Sequence, residues 1–88
     1  MQLNENRKLE LLETLQAKVG CMYISDLLNN DFFPNIHQAL EEMTYESFSL
    51  WEWNDAIRYI TGQDITFAEP AHAHYFLLGF TESKRRFR

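Results

Sequence analysis

Apolar residues recur three and four positions apart in four separate stretches of this chain, each bounded by residues that start or stop helices. At about 100° per residue, that spacing gathers side chains onto one face, so the chain must build amphipathic helices and pack those faces together. Leu11, Leu12, Leu15 and Val19 form the first stripe, opposite Glu10 and Glu13, in a helix expected over residues 6–19. Asn4 or Asn6 can cap its start, and Gly20 stands where a left-handed residue would end it. Ile36, Ala39, Leu40 and Met43 form the second stripe, with Asn35 and Gln38 spaced as a capping box. Ser49 and Glu52 repeat that spacing ahead of the strongest stripe, Leu50, Trp53, Ala56, Ile57 and Ile60, which Gly62 stops. The last stripe is Ala73, Phe76, Leu77 and Phe80, with Glu69 and Pro70 suited to a helix start and Gly79 to its end. Ala71, Tyr75 and Leu78 make the opposite side of that helix apolar too, as in a helix held between its own domain and a second surface.

The connecting segments are short. Cys21 to Ile24 is a continuous apolar run, expected to be extended, and Ser25 and Asp26 offer an N-cap for one turn at Leu27 and Leu28. Asn29, Asn30 and Asp31 are turn residues, and Phe33 before Pro34 is biased toward extended geometry, so a loop should present Phe32 and Phe33. Residues 64–67 alternate polar and apolar, a pattern able to pair with the earlier run. The expected fold is therefore mainly α, a small single-domain bundle of about four helices, with a short two-stranded β ribbon pairing residues 22–24 with 65–67.

Eighty-eight residues make one domain, placed at residues 1–83, and a mobile basic tail at 84–88. Cys21 is the sole cysteine, so packing rather than an internal disulfide must hold the fold, as suits a reducing compartment. The apolar runs fall short of the roughly 20 residues a bilayer crossing needs. These features read as a cytoplasmic protein without membrane attachment.

Charge is segregated along the chain. Residues 1–83 set four Lys and Arg against thirteen Asp and Glu, a formal charge of −9, while Lys84, Arg85, Arg86 and Arg88 give the tail +4. Such a body repels nucleic-acid backbones and anionic surfaces over a screening length of about 8 Å and attracts basic partners. A helix-turn-helix reading of residues 25–43 meets the same obstacle, since Glu41 and Glu42 stand where a recognition helix carries Arg, Lys, Asn or Gln.

Few residues invite chemistry. His37, His72, His74 and Cys21 are the candidate metal ligands, but His72 and His74 are two apart, and on a helix that directs them about 160° away from each other. Cys21 follows Gly20 and precedes an apolar run, the setting of a small buried hydrophobe. Gly20, Gly62 and Gly79 are isolated and form no phosphate cradle. No catalytic residue, metal or cofactor is expected.

The surface candidates are aromatic. Trp51 falls more than about 100° from the core stripe of its helix, on the side of Asp55 and Arg58, and Tyr59 is also off that stripe. With Phe32 and Phe33 these residues form the expected partner-binding patch, in residue types enriched at binding hot spots. The competing expectation is that Trp51 packs under residues 30–34 against Phe32 or Phe33. Tyr75, Leu78 and Phe80 are the expected contacts for self-association as a homodimer. Together the features suggest a non-enzymatic interaction module, with the size and acidity of small inhibitor or immunity-type proteins, that binds a basic protein. The alternative is a nucleic-acid or anionic-surface binder acting through Lys84, Arg85, Arg86 and Arg88, with Phe87 among them.

Overall fold

Among the described residues there are four α-helices, α1 (Glu10–Val19), α2 (Phe33–Glu42), α3 (Leu50–Thr61) and α4 (Pro70–Arg86), with short 3₁₀ turns in the first two connections and an irregular segment over residues 62–69 in the third. The structure, a computed structural model, describes residues 10–86, with side chains through residue 82. The expected caps at Asn4 and Asn6 lie outside the described residues. The mainly α reading holds, and the four apolar stripes meet in one core where Leu15, Ile36, Leu40, Trp53, Ile57 and Leu77 are fully buried. The radius of gyration, 12.3 Å, matches the roughly 12 Å of a single globule of this length.

The strongest stripe has the ends its sequence specifies. Ser49 Oγ accepts the Glu52 amide at 3.2 Å, and Glu52 Oε1 accepts the Ser49 amide at 3.0 Å. These bonds satisfy two backbone donors that the first turn of α3 would otherwise leave open. Gly62 closes the other end with φ 72°, its N–H bonded to the Arg58 carbonyl at 3.0 Å. Gly20 ends α1 in the same way, at φ 85°.

Elsewhere tertiary packing overrides local signals. The ribbon of residues 22–24 with 65–67 does not form, because both segments spend their backbone groups on side chains. The Tyr23 N–H donates to Asp26 Oδ2 at 3.0 Å, which closes a 3₁₀ turn over Ile24–Leu28 in place of an extended run. Phe67 is held through its N–H and its C=O by the Asn54 carboxamide, at 2.8 and 3.1 Å, so one side chain serves as its strand partner. Phe33 is not extended before Pro34. It is helical, at φ −59° and ψ −39°, and 2 % exposed. Burying that ring gains about 2 kcal/mol, enough to offset the pre-proline bias, and Pro34 costs nothing in a first turn whose amides lack helical acceptors. Helix α2 thus starts two residues before the expected Asn35 cap, and Asn35 and Gln38 are exposed.

Gly79 does not end α4, which continues to Arg86. Leu77 and Thr81, both fully buried, flank it and hold the backbone helical, with the Thr81 hydroxyl donating to the Leu77 carbonyl at 3.0 Å. A Cβ at Gly79 would meet no atom within 4 Å. The two glycines should therefore respond oppositely to alanine. Gly62→Ala is expected to lower stability by about 1 kcal/mol through its left-handed backbone, and Gly79→Ala to raise it by about 0.5–1 kcal/mol. Urea denaturation of the two variants followed by circular dichroism checks the signs.

Helices α2 and α4 pack antiparallel and form the largest interface of the bundle. Two histidines tie them reciprocally. His37 on α2 donates through Nδ1 to the Leu78 carbonyl at 2.9 Å, and His74 on α4 donates through Nε2 to the Leu40 carbonyl at 2.8 Å. A carbonyl can only accept, so each bond assigns a proton to that ring nitrogen.

Candidate functional site

The aromatic rings left over from the core line a groove along α4. Phe67, Tyr75, Phe76, Gly79 and Phe80 line it together with the polar Gln63 and His72, around a volume of about 700 Å³. The phenylalanine rings form a continuous ladder. Phe67 and Phe76 have centroids 5.2 Å apart, Phe76 and Phe80 6.5 Å, and Phe80 and the buried Phe33 5.7 Å. The groove is thereby anchored to the core at one end and pinned at the other by the Asn54 clamp on Phe67.

That clamp is a testable element of the site. Asn54→Ala removes both bonds to Phe67 and is expected to cost about 1–3 kcal/mol. Hydrogen exchange at the Phe67 amide should speed up more than exchange within α3. Equal protection in the variant would mean that the segment is held by ring packing instead.

The groove sits in an acidic field. The described side chains through residue 82 include twelve carboxylates against two cations, Lys18 and Arg58. Asp64 and Glu69, both exposed, border the segment that carries Phe67, and Glu82 follows Phe80 on α4.

The structure divides the residues singled out by sequence. Trp51 is 48 % exposed on the outer side of α3, with Asp55 and Arg58 half-buried on later turns. Tyr59 and Phe32 are half-buried and packed against the core, and Phe33 lies within it, its ring tilted against Phe80. The expected patch thus loses Phe33. Of the self-association set, Tyr75 is 78 % exposed, whereas Phe80 and Leu78 pack against the core. Tyr75 and Phe80 meet in the groove, and Leu78 is not part of its lining. Helix α4 carries the backbone of Lys84, Arg85 and Arg86, whose side chains, together with Arg88, lie outside those described.

Sequence reasoning missed Gln63, Phe67, His72, Phe76 and Gly79 as groove residues. By periodicity Phe76 belongs to the core stripe and Phe67 to a strand, and Gly79 has the character of a helix stop. The signal for the groove in the sequence is Gly79, a missing side chain between the aromatic residues Phe76 and Phe80.

The candidate metal ligands are dispersed. No group of three His, Cys, Asp or Glu able to hold a metal occurs among the described residues. The rings of His37 and His74 are committed to the α2–α4 interface, and His37 Nε2 lies 3.2 Å from Glu41 Oε2. Burial, and then the neighbouring Asp26 carboxylate, push the Cys21 thiol above its ordinary value, which keeps it protonated and a weak nucleophile at neutral pH.

No helix among the described residues is long and apolar enough to cross a membrane. No protein-family model, curated protein or solved structure matches the chain.

Proposed function

We propose that this chain is a non-catalytic protein-binding module whose docking surface is the aromatic groove on α4. The observation that carries this reading is the groove itself, a volume of about 700 Å³ lined by four aromatic rings with two polar side chains among them. Apolar walls with few polar groups bind and orient a ligand. Its acidic surroundings select the partner, a segment that is apolar where it enters the groove and basic where it leaves, with the carboxylates speeding encounter. A basic protein of the inhibitor-target kind fits that description.

The test is affinity capture from a lysate of the source cells at low and high salt, with the wild-type chain, Tyr75→Ala and Trp51→Ala as baits. Tyr75 is 78 % exposed, so its truncation leaves the core intact. A basic protein released by salt, with recovery about tenfold lower for Tyr75→Ala, supports the groove. Loss with Trp51→Ala alone would move the docking face to α3 and defeat this reading. So would retention of nucleic acid that is abolished by deleting residues 84–88.

A further inference from the structure

The face of α4 that lines the groove is complementary to itself. His72, Tyr75, Gly79 and Glu82 follow one another at steps of three and four residues, so they share one side of the helix. Tyr75 is a large ring standing 78 % exposed, and the place of a Cβ on Gly79 has no atom within 4 Å. One is a knob and the other a hole, one turn apart.

A two-fold axis at the level of Leu77 reverses a second copy of the helix against the first. That operation sets Tyr75 of each copy over Gly79 of the other, and His72 of each copy beside Glu82 of the other. Both contacts are made twice, as an isologous interface requires. All four positions retain solvent exposure; the Glu82 side chain is 45 % exposed, with Oε1 3.9 Å from His37 Nε2. Charge follows the same geometry. Antiparallel pairing brings the end of α4, where Lys84, Arg85 and Arg86 occur, beside the start of α4 in the other copy, which Asp64 and Glu69 precede.

We infer that the occupant of the groove is α4 of a second copy of this chain, antiparallel and centred near Leu77. The inference rests on the reading of the groove as a protein-docking site and names its partner. The chemistry asked of that partner, an apolar segment with a basic flank, is that of α4 itself, where Tyr75, Phe76 and Phe80 are followed by the basic cluster. The missing side chain at Gly79 lets the two helix backbones approach closely, so a glycine that weakens the helix in one copy serves the contact between two.

Sedimentation equilibrium of the full chain over a concentration series tests this, with Tyr75→Ala and Gly79→Leu beside the wild type. The expected result is a reversible wild-type dimer whose dissociation constant rises about tenfold or more in each variant, since removing a knob and filling its hole are equivalent losses. Far-UV circular dichroism should show both variants folded. Isotope-filtered NMR of a mixed labelled and unlabelled sample should show contacts between the Tyr75 ring of one copy and Gly79 of the other. A chain that stays monomeric throughout overturns the inference while leaving the groove to the lysate capture, where a separate, basic protein would occupy it. A dimer indifferent to both substitutions also overturns it, since the contact would then lie on another face.

Discussion

Trp53→Ala is expected to cost about 3–5 kcal/mol, the range for deleting a large buried aromatic side chain. Small domains have about 5–10 kcal/mol in total, so the variant should be close to unfolding at room temperature. Three observations place Trp53 at this extreme. Its side chain is fully buried, it meets His74 edge-on at 5.1 Å and Phe48 at 6.2 Å, and its indole N–H donates to the Tyr45 carbonyl at 2.9 Å. Alanine leaves a cavity between α3 and α4 and withdraws the donor from residue 45. Trp53→Phe keeps most of the ring and loses the N–H, so it should fall between the two. Urea denaturation followed by circular dichroism measures the series. A cost below about 1 kcal/mol for the alanine variant would mean that the core collapses around the gap, contrary to the packing described.

The second large effect is expected from the paired histidines. His37→Ala and His74→Ala should each cost about 1–3 kcal/mol, from a lost buried hydrogen bond and lost packing. The double variant should lose less than the sum, because the two bonds span one interface and the loss of the first already loosens the second. A double-mutant cycle by thermal denaturation reads the coupling. Strict additivity would show that the two bonds act independently and that ring packing, such as Phe33 against Phe80, sets the register. The groove depends on the outcome, since α4 presents Tyr75 and Gly79 outward only while Leu77, Thr81 and His74 hold its other side against α2 and α3.

The residues that sequence read well are those whose partners lie within a turn or two along the chain. The Ser49 and Glu52 cap, the Gly62 stop and the four apolar stripes are local patterns, and local geometry decides them. The misreadings share one cause, burial and side-chain bonds that periodicity does not encode, near at hand for Tyr23, which Asp26 caps, and distant elsewhere. Asn54 took the backbone of Phe67 from thirteen residues away, and burial of Phe33 against Phe80 drew the preceding-proline position into a helix. Gly79 kept its helix because Leu77 and Thr81 are buried on either side of it.

The candidate site follows the same division. Its aromatic content is legible in α4 as apolar character on more than one face, and Tyr75 and Phe80 follow from that alone. Phe67 joined them only through the Asn54 clamp, and Leu78 was separated from them by the turn of the helix toward α2. His37 and His74 looked like possible ligands in sequence because a histidine pattern does not reveal its acceptors, which here are carbonyls 41 and 34 residues away.

Sequence by itself determined the four amphipathic helices of the described residues, where the third begins and ends, and that an acidic body is followed by a basic cluster. Periodicity, capping and charge depend on neighbours in the chain, so they can be read without a fold. Only the tertiary structure decided which aromatic residues became core and which became the groove. An aromatic stripe is equally suited to either, and the choice rests on how much surface the other helices have left to cover it.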